Sequence, residues 1–168
     1  MGTRSRIGVM HGDNCKSVYC HWDGYLDCNG RILFESYQSS VKINKLISLG
    51  DLSVLGIEIG AEHDFNSRVN EDWCTFYGRD RGEDNTGFKT FQTEDEFVDW
   101  YSDAEYYYLY DNGVWYVKSY KSEFKPLHEE IEKLALWAAN KLNGGDWYDT
   151  KFYQAGHKKA WMDMVREL

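Results

Sequence analysis

No run of this sequence approaches the roughly 20 apolar residues needed to span a bilayer, and its N-terminus does not resemble a secretory signal. A cytosolic protein is expected. Met1-Gly2 opens like a myristoylation signal, but Arg6 stands where that signal requires Ser or Thr, so lipidation is not expected. Positive charge is scarce. The 19 Lys and Arg against 28 Asp and Glu leave a formal charge of −9, whose field repels phosphates and argues against duplex DNA or an anionic membrane as partner. Cys15, Cys20, Cys28 and Cys74 make no Cys-x-x-Cys pair, which points to reduced, structural thiols. A zinc site built from them with His11 and His21 is the weaker alternative. The sequence has no phosphate loop, nucleophile elbow or zinc signature, and no cofactor is expected. Repeats and low-complexity tracts are missing as well, and 168 residues suit one domain.

Aromatic rings are abundant instead: 13 Tyr, 8 Phe and 7 Trp supply core area and flat stacking surfaces. The patterning predicts an α+β domain whose mainly antiparallel sheet contains strands at 5–10, 16–22, 73–81, 104–111 and 114–120. The first two form a hairpin around His11-Gly12-Asp13-Asn14, and the last two a tight one around Asn112-Gly113. Both faces of that second hairpin are apolar, so its strands should be central and covered. Its tyrosines Tyr106, Tyr107 and Tyr108 then read as cross-strand core contacts rather than a ligand platform.

Helices are expected where apolar residues recur at spacings of three and four. One starts at Asn29-Gly30, with Asn29 as N-cap, and runs to Tyr37. A second begins at Ser39 or Ser40 and stops at Gly50. Residues 51–65, with Gly56 and Gly60, read as a turn-rich connection, and 83–87 as a polar loop. Thr93 and Glu96 make a capping box for a helix ending near Ser102. The only proline, Pro126, suits the first turn of the main packing helix, which carries Leu127, Ile131, Leu134, Ala138 and Leu142 to the stop at Asn143-Gly144-Gly145. The tail holds two aromatic-rich pieces, 147–153 and 157–165.

The candidate site is centred on Tyr19-Cys20-His21-Trp22-Asp23-Gly24-Tyr25, where a strand arrives at an Asp-Gly turn. Trp22 should bury much of its ring there. Alternation puts Arg4 and Arg6 on the non-core face of the first strand, and a strand over 73–81 would put Arg79 and Arg81 on one face. These four arginines could hold phosphates in bidentate fashion, while Tyr19, Trp22 and Tyr25 stack a base or nicotinamide-like ring beside His21 and Asp23. The plainer alternative is that the arginines pair with Asp80, Glu83 or Asp23 as surface salt bridges. Catalysis by Cys20 with His21 meets a geometric objection, since neighbours in a strand point to opposite faces.

Met1-Gly2-Thr3-Arg4-Ser5, then Cys20-His21-Trp22-Asp23-Gly24-Tyr25, then Tyr77-Gly78-Arg79-Asp80-Arg81-Gly82-Glu83 resembles a family of small proteins encoded by tailed bacteriophages. The likeness runs over most of the chain. Members of the family carry proline after the Asp-Gly-Tyr, where this chain has Leu26. The resemblance implies a setting, the cytoplasm of an infected bacterium, and an accessory role such as disarming host defence. Two functions fit that setting: a binding protein that sequesters a small nucleotide-type immune signal, acting as a sponge and as a possible homo-oligomer, or an inhibitor of a host protein through an acidic, nucleic-acid-like surface.

Overall fold

The computed structural model describes residues 2–99, 104–119 and 122–144. It is an α+β structure with one eight-stranded mixed sheet and five α-helices among the described residues. The N-terminal hairpin forms as expected, from β1 (Ser5–His11) and β2 (Asn14–Cys20), with Gly12 in the left-handed region its turn requires. The second hairpin, β6 (Tyr106–Asp111) with β7 (Val114–Ser119), turns on Asn112 and Gly113, both at positive φ.

The sheet is larger and more mixed than five antiparallel strands. β6 joins β1 in parallel, because the chain returns from a long excursion and enters at the same end, where the N–H groups of Glu105 and Tyr106 donate to Arg4 O (3.0 and 3.3 Å). β3 (Leu52–Val54), inside the stretch expected to be turns, pairs in parallel with the end of β2. β5 (Lys89–Phe91) pairs with the beginning of β2, β4 (Thr75–Phe76) pairs with β3, and β8 (Lys125–Pro126) with β7.

The expected strand over 73–81 is corrected. The strand is only Thr75–Phe76, with Trp73 making a single bridge to Glu58, and α3 (Tyr77–Arg81) follows at once. Asp80 drives the change: its carboxylate accepts the Phe76 N–H at 2.7 Å, curling the chain back one turn, and Gly82 closes the turn at φ +68°. The period-two look of Trp73, Thr75 and Tyr77 masks a strand that stops early.

Two further expectations shift. The segment after β2 is a π-turn (Leu26–Gly30) leading into α1 (Arg31–Ser36), and Asn29 is no N-cap. Its amide instead donates to Trp22 O at 3.1 Å and to Ser5 Oγ at 3.3 Å, binding the turn to β1. Pro126 lies in β8, just before α5 (Leu127–Gly144), rather than inside the helix. α2 (Ser40–Ser48) ends before Gly50 at φ +88°. α4 (Glu94–Asp99) begins on the expected box, with Glu96 N–H donating to Thr93 Oγ1 at 3.1 Å. The proposed end of that helix, Tyr120 and the two tail segments lie outside the described residues.

Both faces of the central strands are covered. One carries Ile7, Val18, Leu52, Phe76, Tyr108 and Val117 in the main core under α1, α2 and α5. The other carries Cys15, Phe91, Tyr107 and Leu109 in a smaller core closed by Phe97 of α4. Tyr107 and Tyr108 are accordingly buried core residues.

Candidate functional site

Strand register decides which candidate residues meet. Arg6 sits opposite Tyr19 across the hairpin, and Asp51 and Ser53 of the β3 segment run alongside Tyr19 and His21, so these side chains share the smaller-core face of the sheet. The Arg6 guanidinium lies 5.9 Å from the Tyr19 ring centroid. Tyr19 Oη and His21 Nδ1 are 2.8 Å apart, and both side chains are half-buried. His21 Nε2 has no partner among the described residues.

Arg6 itself is 1% exposed, which corrects the expectation of a surface arginine. The face that Arg6 shares carries a core of its own, the smaller one closed by Phe97, instead of open solvent. Pairing along the outer edge of β2 is incomplete. β5 covers Cys15 to Ser17 and β3 meets Cys20, leaving Tyr19 N–H between them with Asp51 Oδ1 as its acceptor at 2.9 Å. Burial pushes the Asp51 carboxyl up; the Tyr19 N–H, Arg6 and Lys89 offset part of that.

The turn itself is rigid. Gly24 N–H donates to Thr3 O at 2.8 Å, a Cβ on Gly24 would lie 2.8 Å from that oxygen, and Tyr108 Oη donates to Gly24 O at 2.8 Å. Asp23 takes the left-handed conformation at φ +58°, which short polar residues tolerate. Trp22 is 43% exposed, against the expectation of a buried ring. It lies past the end of β2, against Gly2 and edge-on to His21 at 4.7 Å. Tyr25 is half-buried beyond the turn.

α3 separates the two remaining arginines. Two positions along a helix are about 200° apart, so Arg79 and Arg81 do not share a face. Arg79 donates to Asp80 Oδ1 (2.9 Å), Ile59 O (3.0 Å), Gly60 O (3.2 Å) and Cys74 O (3.0 Å). Burial alone would push Asp80 up, but the Arg79 guanidinium and the N–H groups of Phe76 and His63 outweigh it and hold the carboxyl below its ordinary range. This ion pair is buried on the Asp80 side, not the surface pair that neighbouring charges suggest. Arg81 is different: it pairs with Glu83 and lies over the rings of Phe65 (4.4 Å) and Tyr77 (5.0 Å). Tyr77 belongs beside the row, since its N–H donates to Asp51 O and its hydroxyl bonds Ser53.

Among the expected residues, Arg6, Tyr19 and His21 therefore form one row, and Arg81 stands on a ring stack attached to it. Arg4 approaches β1 with its N–H bonded to Glu105. Asp51, Phe65 and Tyr77 went unread because their signal lies in pairing across the chain. Cys20 faces the main core, opposite His21, and burial pushes its thiol up to about 12, so no thiolate stands ready there at neutral pH. None of the four cysteines is in a disulfide, and no group of metal-ligating side chains assembles among the described residues.

No protein family, curated protein or solved structure matches this chain. No helix among the described residues is long and apolar enough to cross a membrane.

Proposed function

We propose that the chain is a binding protein that sequesters a small nucleotide-type ligand without turning it over, in the setting of an infected bacterium. The ligand sits on the sheet face along Arg6, Tyr19 and His21, with the Phe65–Tyr77–Arg81 stack at its edge. One observation carries this reading: a phenol and an imidazole, held together at 2.8 Å, stand half-exposed at the end of β2, the phenol ring 5.9 Å from the Arg6 guanidinium. The half-exposed phenol and imidazole offer ring faces for a base, and the imidazole a donor for a phosphate. That pair supports the reading without help from Arg79, whose fork is engaged within the protein.

A thermal-shift screen against cyclic oligonucleotides and NAD-derived nucleotides tests it. A ligand at about 100 times its dissociation constant stabilises the fold by ~2.7 kcal/mol, a shift of a few degrees. Recovery of the ligand unchanged after incubation separates sequestration from catalysis. Silence across the panel, with one host protein co-purifying from lysate, replaces this reading with the inhibitor one, which the charge of −9 favours.

A further inference from the structure

We infer that the recess between the ends of β6, β7 and β8 and the start of α5 is a second binding site, for a small zwitterion of the amino-acid class. It lies on the opposite sheet face from the Arg6–Tyr19–His21 row and stands independently of the function proposed there.

The cavity measures about 290 Å³. At about 30 Å³ per water, it holds on the order of ten non-hydrogen atoms, the size of a free amino acid and well below that of a nucleotide. Its floor is the sheet: Tyr106 and Val117 line it, and Tyr106 is backed by Tyr108 in a near-parallel stack at 6.2 Å. Leu26 of the π-turn closes one wall, giving an apolar seat for a side chain.

The polar groups set the chemistry. Lys125 lines the cavity from β8 and Glu130 lines it from the first turn of α5, so opposite charges are present at one small opening. A simple anion placed there meets Glu130, and a simple cation meets Lys125. A molecule carrying both a carboxylate and an ammonium satisfies the two at once, and charge-assisted hydrogen bonds at both ends fix its orientation. Glu130 reaches Lys133 at 3.2 Å, but Lys133 is 65% exposed, and such outward pairs are weak enough to yield. Ser119 and Ser122, with hydroxyls 3.0 Å apart, add neutral hydrogen-bonding groups to the lining.

The test titrates the intact protein with the standard L-amino acids by NMR or calorimetry, with leucinamide and N-acetyl-leucine as probes that each lack one charge. At least one apolar amino acid should bind saturably at millimolar concentration, shifting resonances of Tyr106 and Val117. Removing either charge from the probe, or introducing Lys125→Met or Glu130→Gln, should weaken binding roughly tenfold. Both substitutions are at the cavity mouth, and unchanged melting temperatures confirm the fold. Absence of saturable binding by every amino acid overturns the site, as does binding that ignores both missing charges or both substitutions.

Discussion

Arg79 in α3 and Arg6 in β1 are both largely withdrawn from water, yet their surroundings differ. Around Arg79, a buried carboxylate and three carbonyl oxygens take up the guanidinium, and the same carboxylate accepts the N–H groups of Phe76 and His63. The result is a latch, tying the irregular segment after β3 to the end of β4. Around Arg6, the neighbours are a ring, a half-exposed histidine and an aspartate that closes a gap between strands. The first arrangement is built to hold the fold; the second sets a half-exposed phenol and imidazole beside a buried guanidinium. Local sequence does not separate them, because each arginine has a second arginine two residues away, Arg4 and Arg81, and the partners that set its surroundings lie elsewhere in the chain.

The largest expected effect falls on the latch. Asp80→Ala leaves Arg79 and two backbone N–H groups without their acceptor, and removing one partner of a buried pair costs ~3–5 kcal/mol. Urea unfolding checks this; a loss under ~1 kcal/mol would end the latch account. The pH dependence has a definite sign. Asp80 titrates below its ordinary range when folded, so its contribution is present above the unfolded carboxylate pKa and is lost as pH falls through the lower, folded value. Asp80→Asn should show a flatter acid limb than wild type.

Arg79→Ala comes next, at ~1.5–3 kcal/mol, since hydrogen bonds to charged groups are lost together. Arg81→Ala should cost ~0–1 kcal/mol, as exposed ion pairs do. Trp22→Ala should cost less than Arg79→Ala, because the ring is 43% exposed. A lower denaturant midpoint for Trp22→Ala than for Arg79→Ala would break the contrast between latch and open edge.

How much of this was legible beforehand follows from where each signal resides. Both hairpins could be read because turn chemistry is local: Asn112-Gly113 needs no partner elsewhere to declare itself. The capping box at Thr93 and Glu96 is local too. β3, β5 and the parallel pairing of β1 with β6 were not legible, because β3 and β5 are too short to show periodicity and the paired residues stand far apart in the chain, as Cys20 does from Leu52 and Ser5 from Tyr106. The same reason hid Asp51, whose role depends on the gap between β3 and β5. Arg6 was placed on the correct face and at the wrong depth: alternation gives the face, while what packs over that face, here the smaller core, sets the burial.

Asp51 joins the two regions and offers a third test. Asp51→Ala removes the acceptor of the Tyr19 N–H and should cost ~1–3 kcal/mol, whereas Asp51→Asn keeps an oxygen there. Because burial raises the folded pKa of Asp51, the associated stability is fully present below the unfolded value and is lost as pH rises through the folded one. The asparagine variant should therefore gain on wild type across that window. Parallel stability–pH curves would contradict the assignment.

The smallest effect on stability, and the sharpest on function, is expected at His21. Its Nδ1 is held by Tyr19, and Nε2 has no partner among the described residues, so His21→Gln disturbs one half-exposed contact and should change stability by no more than ~0.5 kcal/mol. If the row binds a phosphate-bearing ligand, the loss of an imidazole donor weakens that ligand roughly tenfold, about 1.4 kcal/mol. Tyr19→Phe should act in the same direction through the ring it orients, leaving Asp51 and the backbone bond in place. Calorimetry with the nucleotide identified by thermal shift reads both variants, and Arg79→Lys serves as the opposite control: measurable loss of stability, little loss of affinity. Wild-type affinity in His21→Gln and Tyr19→Phe would move the ligand away from this face, and loss of affinity confined to the arginine variant would return the site to α3.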